Sequence, residues 1–266
     1  MPLSVDVGES RTATILVASV VCTPTRSQEY SNVGLYCICI LDLNRSDVFH
    51  RSLPLAPTPL IPSVPRLYPT CRKVDGTEAP ITFLSVFHAS WDKPIFNAKL
   101  DGTGDVLAKM TDRAYGITVH EFLGERGFAP KLLGVCTLDD RPTVYVMEKL
   151  DNTWMTLADW EGSIAPLLRS TVRPQVQNQI NHIIGLLEEK GYVHGDLRTT
   201  NIMIRKESNE LKVIDFDWAG DAGHTCYPVD RNDEIQEWPK NSMHGGAIAI
   251  GDDRALVNNW WATFLT

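Results

Sequence analysis

Three polar residues in the C-terminal half of the chain have the types and the spacing that divalent-cation binding and an acid–base step require. Asp196 and Asn201 lie five residues apart, and Asp215 follows fourteen residues later, at the end of the apolar run 211–214. Carboxylate and amide oxygens are hard ligands of the kind that Mg²⁺ prefers. An ionised aspartate can also accept or orient the proton of an attacking hydroxyl. The pattern predicts Asp196 as the base and Asn201 with Asp215 as metal ligands.

These residues belong to two short motifs. Residues 194–201 have the sequence HGDLRTTN, and residues 215–217 have the sequence DFD. Together they resemble the catalytic loop H-R-D-L-x-x-x-N and the D-F-G motif of the protein-kinase-like superfamily, in the form of short fungal kinase-like proteins. The resemblance spans roughly residues 80–250 and implies ATP and Mg²⁺ as cofactors. It also implies that Arg198 neutralises phosphate near Asp196.

The elements around these motifs have the order expected for a kinase C-lobe. Apolar residues between 176 and 187 recur at helical spacing, with Pro174 in the expected first turn and Gly191 at the expected end. The apolar runs 202–204 and 211–214 flank a polar turn and predict a hairpin. A further helix is expected over 154–168, after the hinge between the lobes.

A kinase N-lobe is predicted from about residue 78. Strands are expected at 81–88, 95–100 and 106–110, with a hairpin turn of sequence DGTGD at 101–105. The third strand, VLAKM, resembles the V-A-I-K strand of kinases. That resemblance implies that Lys109 grips the ATP phosphates.

The partner of Lys109 is expected on a helix over 118–126. Glu121 and Glu125 lie four residues apart and share a helix face, so either could reach the amine, and Glu121 is favoured. A Tyr-Gly, His, Ala-Pro series also resembles the fungal proteins; its members are Tyr115, Gly116, His120 and residues 129–133. His120 is expected to pack or to cap rather than to act in catalysis.

Residues 143–150 predict the strand that enters the hinge. Met147 is then the gatekeeper, and the backbone of Glu148 to Leu150 is expected to bond the adenine of ATP. Because such contacts use the backbone, the side-chain types at these positions carry little information about them.

Three departures from the kinase pattern bear on activity. The turn at 89–94 has the sequence ASWDKP in place of a glycine-rich loop, so the backbone amides that cover phosphates are missing. Asp217 replaces the glycine of D-F-G, either as a turn cap, which is favoured, or as a further oxygen ligand. Only 51 residues follow Asp215, without an A-P-E motif, which resembles small atypical kinases and antibiotic-type phosphotransferases.

Composition sets the outer limits of the function. The formal net charge of −8 argues against a nucleic-acid or anionic-membrane partner, while 43% hydrophobic and 22% charged residues are ordinary for a folded protein. The apolar runs are too short to span a bilayer, and the six cysteines lack the spacing of a zinc site or a disulfide framework. An intracellular, soluble protein, cytoplasmic or nuclear, is expected.

The expected fold is α+β and two-lobed, with a small antiparallel N-lobe sheet plus one helix and a truncated, mainly helical C-lobe. The expected segments are an extension at 1–52 with strand-like runs 12–22 and 35–43, a Pro-rich linker at 53–77, the N-lobe and hinge at 78–150, and the C-lobe at 151–266. The leading function is Mg²⁺-dependent phosphoryl transfer from ATP to a hydroxyl, of the Ser/Thr protein kinase type. A pseudokinase and a small-molecule phosphotransferase are the alternatives, and the acceptor stays open.

Overall fold

A computed structural model describes most of the chain from residue 68 onward and two short segments before it. The described residues are 3–6, 12–15, 68–90, 93–137, 142–240 and 242–264. The chain divides into two units, Met1–Pro59 and Leu60–Thr266. In the first unit, strands β1 (Leu3–Asp6) and β2 (Thr12–Ile15) pair antiparallel. The predicted strand at 35–43 and the prolines from 54 to 65 lie outside the described residues.

The N-terminal part of the second unit is a closed antiparallel barrel of six strands. They are β3 (Thr70–Lys73), β4 (Glu78–His88), β5 (Ile95–Leu100), β6 (Gly104–Thr111), β7 (Leu132–Cys136) and β8 (Thr143–Glu148). The order around the barrel is β3-β4-β5-β6-β8-β7, and α1 (Ile117–Glu125) connects β6 to β7. Alternate residues of β5, Phe96, Ala98 and Leu100, are buried, as the two-residue period of a strand requires.

Strand β3 lies inside the segment 53–77 that the sequence predicts as a linker. Cys71 of β3 is fully buried, and Tyr68 just before it is 4% exposed. The barrel therefore begins before the predicted boundary at residue 78. The strand was not predicted because it has only four residues, too few to show an alternation of apolar and polar side chains in the sequence, and because it follows a proline-rich segment.

The rest of the second unit is built around one long helix. The elements are β9 (Trp154–Thr156), α2 (Leu157–Ser163), α3 (Pro166–Lys190), β10 (Tyr192–Val193), β11 (Ile202–Arg205), β12 (Leu211–Val213), β13 (Gly220–Asp221) and α4 (Asp252–Trp261). Strands β11 and β12 form the antiparallel hairpin expected at 202–214, with β9 on the other side of β11.

Two helix predictions need correction. The expected helix over 154–168 is a short strand followed by α2, because Thr156 caps a new helix: its hydroxyl accepts a hydrogen bond from the Asp159 amide at 3.1 Å. Helix α3 begins at Pro166, so Pro174 lies inside the helix and not in its first turn. The predicted end is confirmed, with Gly191 in the left-handed conformation at φ 72°.

The apolar side chains form two main clusters. One fills the barrel, and the larger one joins α2, α3, α4 and the β11–β12 hairpin. Val119 and Leu123 of α1 belong to the larger cluster, so this helix packs on the C-terminal part of the fold. Within the described residues no helix has the length and apolar character needed to cross a membrane. Cys71, Cys136 and Cys226 are free thiols, the first two buried.

Candidate functional site

Lys109 lies on β6, in register with Ile95 of β5 and Tyr145 of β8. Its side chain is only 6% exposed, and its ammonium forms ion pairs with the carboxylates of Asp215 and Asp217. A buried ammonium requires such partners, because an uncompensated charge inside a protein is costly. The strand that carries Lys109 is therefore tied to the segment that follows β12.

Asp215 has φ 67°, in the left-handed region that aspartate tolerates better than most residues. The Nζ atom of Lys93 lies 3.8 Å from its second oxygen, Oδ2. Burial raises the pKa of the Asp215 carboxyl, but the charges of Lys109 and Lys93 outweigh it, so that the pKa is lowered. Asp215 is consequently ionised at neutral pH, as a metal ligand must be.

The remaining carboxylate of this cluster belongs to Asp217. Its side chain is 6% exposed, with one oxygen paired to Lys109 and the other 3.2 Å from the Nζ of Lys93. The sequence favours a turn cap at this position, whereas the structure makes Asp217 a full member of the charged cluster. Lys93 was not foreseen, since it lies in the turn that departs from the glycine-rich pattern.

Asp196 and Asn201 meet within the loop between β10 and β11. The Asn201 amide nitrogen donates to the Asp196 backbone carbonyl at 3.0 Å and to its carboxylate at 2.8 Å. Both residues are buried, at 6% and 8% exposure. Arg198 binds the same carboxylate with two nitrogens, so in this structure the guanidinium holds Asp196. Its predicted contact with phosphate remains a prediction.

Side chains of helix α4 hold this loop through hydrogen bonds to its backbone. The buried carboxylate of Asp253 accepts hydrogen bonds from the amides of His194 at 2.6 Å and Gly195 at 2.9 Å. The indole of Trp260, two turns further along the helix, donates to the Leu197 carbonyl at 3.0 Å. The sequence signals for these anchors are weak, because Asp253 and Trp260 lie far from the loop in the chain.

Residues 108–239 match the family model described as protein tyrosine and serine/threonine kinase. The solved structure of the kinase PK-1 from the Cydia pomonella granulovirus has a TM-score of 0.54 to this chain, over 70% of this chain and 68% of that one, at 14% identity. The family match and the kinase fold confirm the expected resemblance to the protein-kinase-like superfamily. The barrel with α1 corresponds to the N-lobe and the part built around α3 to the C-lobe, so the expected two-lobed α+β fold is confirmed.

Two further proteins are similar to this chain. The EKC/KEOPS complex subunit bud32 of Dictyostelium discoideum is 34% identical over 83 residues. That match covers 28% of this chain and 33% of the relative, so the chain spans only a part of the relative's length. ROP2 of Toxoplasma gondii, described as a virulence factor with a protein-kinase fold and no enzymatic activity, has a TM-score of 0.49 at 14% identity, over 72% of this chain and 66% of that one.

The structure does not bring Glu121 or Glu125 to Lys109. Within the described residues, the carboxylate of Glu125 approaches Arg126, and Lys109 is paired with Asp215 and Asp217 instead. The reason lies in the orientation of α1, whose buried face comprises Val119, His120, Leu123 and Gly124. His120 therefore occupies the side of the helix that faces the D-F-D segment.

A column of rings connects α1 to this segment. His120 stacks on Phe216 at 4.4 Å, and Phe216 contacts the ring of His194 edge-on at 5.2 Å. The His120 ring donates a hydrogen bond from Nε2 to the Pro130 carbonyl at 2.7 Å. Its Nδ1 therefore accepts a hydrogen bond from the Tyr115 hydroxyl at 2.8 Å. Tyr115 in turn stacks on Tyr145 of β8. His120 is thus a packed, hydrogen-bonded residue, as the sequence indicates.

The strand predicted to enter the hinge is present as β8. Met147 and Glu148 are the last two residues of β8, and Leu150 follows the strand. The Glu148 amide donates to the Lys131 carbonyl at 2.9 Å, so this N–H is already used and does not point to adenine. The Glu148 side chain binds Lys212 of β12 at 2.9 Å, which joins the end of the barrel to the C-lobe. The gatekeeper role of Met147 and the adenine contacts of the Glu148 carbonyl and of the backbone of residues 149–150 remain predictions.

The donor set fits Mg²⁺ better than a transition metal. Among the described residues there is no group of three or more His, Cys, Asp and Glu side chains with the arrangement of a metal site. Magnesium in nucleotide sites commonly takes one or two carboxylates and completes its shell with phosphates and waters. Asp215, together with the amide oxygen of Asn201, supplies hard oxygen donors of this kind.

Proposed function

We propose that the protein is a Mg²⁺- and ATP-dependent phosphotransferase that phosphorylates a hydroxyl, of the Ser/Thr protein kinase type. One observation supports the proposal: three segments that are distant in the chain contact one another around the D-F-D segment. Lys109 of β6 pairs with Asp215, and the loop that holds Asp196 and Asn201 meets the same segment, because the Ile214 amide donates to the Asn201 carbonyl at 2.9 Å. The family match and the kinase fold support the same reaction class.

Each side chain has a role that follows from its charge and surroundings. Arg198 and Asn201 hold the carboxylate of Asp196, so it can accept or orient the proton of the acceptor hydroxyl. Lys109 offers its ammonium to the phosphates of ATP. Asn201 and Asp215 would hold Mg²⁺, which when bound neutralises charge on the phosphate oxygens.

Arg198 acts in this proposal as a positioning residue. Its two hydrogen bonds fix the plane of the Asp196 carboxylate, and Asn201 fixes it from a second direction. Phosphoryl transfer relies on positioning and charge stabilisation more than on covalent chemistry, so such restraint has a direct effect on rate. A preorganised carboxylate loses little freedom when the acceptor binds.

The first prediction concerns Asp196. Asp196→Ala removes the base and should lower phosphoryl transfer by at least about a hundredfold, because general-base contributions are typically of that size. The measurement is transfer of the labelled γ-phosphate of ATP to a panel of peptide, protein and metabolite acceptors. MgATP binding should be retained and is the control, and transfer is measured at a temperature at which the variant remains folded, because Arg198 and Asn201 lose a buried partner. Transfer at the wild-type rate would contradict the assignment of Asp196.

A second candidate is a pseudokinase that binds nucleotide without transferring phosphate. The observation that favours it is the double ion pair of Lys109 with Asp215 and Asp217, which must open before phosphates and Mg²⁺ can bind. The same panel separates the two functions. MgATP binding by wild-type protein without label transfer to any acceptor would support the pseudokinase and contradict the enzyme.

A further inference from the structure

The turn between β4 and β5 carries a cation to the place where a glycine-rich loop would cover phosphates. Lys93 lies two residues before β5, and its Nζ approaches Asp217 at 3.2 Å and Asp215 at 3.8 Å. Its side chain is 36% exposed, whereas that of Lys109 is 6% exposed. Lys93 is therefore the more accessible of the two ammonium groups that face the D-F-D segment.

The charges of this cluster balance only when Lys93 is included. The segment supplies two carboxylates, Asp215 and Asp217, where a D-F-G motif supplies one. Lys109 alone would leave one negative charge at a site that must accept the polyanion ATP, and like charges at short range repel strongly. Lys93 offsets the carboxylate that Asp217 adds.

We infer that Lys93 is a phosphate-binding residue that supplies the positive charge normally provided by glycine-loop amides, and that Asp217 positions it. The inference rests on the proposed nucleotide-dependent function. When MgATP binds, Lys93 exchanges its bond with Asp215 for phosphate oxygens and keeps Asp217 as its counter-charge. The absence of a glycine-rich loop at 89–94 and the replacement of glycine by Asp217 are then linked changes, because Lys93 and Asp217 act as a pair.

The test is binding of MgATP and of adenosine, measured by calorimetry on wild-type protein and Lys93→Met. A charge-assisted hydrogen bond to phosphate is strong, so the variant should bind MgATP about tenfold more weakly or worse. Its affinity for adenosine, which has no phosphate, should be unchanged. Lys93→Arg should retain most of the MgATP affinity, because the cation is kept.

A matched control comes from Lys99, an exposed lysine on β5 of the same hairpin. Lys99→Met removes one positive charge from the same lobe and should leave MgATP affinity unchanged. An equal loss in Lys99→Met and Lys93→Met would reduce the effect to net charge and overturn the inference. An equal loss of MgATP and adenosine affinity in Lys93→Met would overturn it as well.

The role of Asp217 is tested by a double-mutant cycle. If Asp217 positions Lys93, then Lys93→Met should have a smaller effect in an Asp217→Gly background than in the wild type, since coupled residues are not additive. Additive effects would remove the positioning role. Wild-type protein that binds adenosine and MgATP equally would contradict Lys93 as a phosphate ligand, whereas wild-type protein that binds neither would contradict the proposed function itself.

Discussion

Gly195 shows at the scale of one residue why the loop has the sequence His-Gly-Asp and not His-Arg-Asp. Its φ is 80°, a conformation that side chains rarely adopt. A Cβ at this position would lie 2.7 Å from Cδ1 of Ile248 and 2.8 Å from the Trp218 carbonyl. The glycine therefore permits close packing of the C-terminal segment against the loop that presents Asp196.

A second prediction follows from this packing. Gly195→Ala should reduce the free energy of unfolding by about 2–4 kcal/mol, combining backbone strain with overpacking. Gly191→Ala is the matched control, because Gly191 has a similar φ of 72° and no heavy atom within 4 Å of a built Cβ. It should lose only about 1 kcal/mol, the usual cost of a side chain at a left-handed position. Equal losses in urea unfolding would disprove the steric argument.

His120, in the column of rings, has a pKa well below the ordinary value for histidine. Burial is the main cause that lowers its pKa, to about 4, and the charge of Lys109 lowers it further, against a raising effect of the bond to Pro130. The folded state thus keeps the ring neutral, while the unfolded state binds a proton near pH 6.5. The contribution of His120 is therefore fully present above about pH 6.5 and is lost as pH falls toward 4.

The third prediction is a loss of stability in acid. Between pH 7 and 4 the titration of His120 should account for about 3 kcal/mol of lost unfolding free energy. His120→Gln cannot titrate and should show a flatter pH profile over that interval, although it is less stable at pH 7. His224→Gln, at an exposed position, is the control and should keep the wild-type slope. The measurement is denaturant unfolding at several pH values, and parallel profiles for His120→Gln and wild type would contradict the assignment.

At the scale of elements, helix α4 supports the loop of residues 194–201. Its carboxylate at 253 satisfies two consecutive backbone amides, and its indole at 260 satisfies a carbonyl of the same loop. The helix has two acidic residues in its first turn, which the helix dipole favours. One helix of ten residues thereby holds three backbone groups of the loop.

The fourth prediction tests this support. Asp253→Ala leaves the amides of His194 and Gly195 buried without partners and should cost about 3 kcal/mol of unfolding free energy. Asn258→Ala, on the exposed side of the same helix, should cost far less and serves as the control. Phosphoryl transfer should fall in Asp253→Ala under conditions where the variant remains folded, because the loop loses its fixed position. A variant as stable as Asn258→Ala would remove the anchoring role.

At the scale of the Leu60–Thr266 unit, the site lies where two packing clusters meet. The barrel core and the C-lobe core are separate, and α1 packs with the C-lobe. The connections between them are polar or aromatic: the pairs of Lys109, the Glu148–Lys212 bridge, and the column through His120. A ligand that replaces the ion pairs of Lys109 therefore contacts residues of both lobes and should stabilise both.

The fifth prediction is a shared response to nucleotide. MgATP should slow amide hydrogen exchange in β6 and β8 of the barrel and also in residues 194–201 and 215–217, because a bridging ligand suppresses local opening on both sides. Adenosine with Mg²⁺ is the control and should protect the hinge side alone, since it has no phosphates. Protection by MgATP that is confined to one lobe would contradict a bridging site.

Several features follow from local sequence. The β11–β12 hairpin, the DGTGD turn and the end of α3 at Gly191 depend on neighbouring residues, so their composition and periodicity predict them. The contact between Asp196 and Asn201 is also local, because five residues separate them. These features need no knowledge of how the lobes meet. Strand β3, with four residues, and the Thr156 cap are exceptions in which short elements gave too little pattern.

The partners of Lys109 were decided by tertiary structure. Helical spacing allows Glu121 and Glu125 to share a face, yet only the packing of Val119 and Leu123 fixes which face is turned inward. Likewise, Lys93 and Asp217 are separated by 124 residues, and Asp253 lies 59 residues from the loop that it holds. Sequence specifies the residue types and local elements of the site, whereas long-range pairing depends on how the barrel and the C-lobe pack, because burial of the apolar faces sets which charges come together.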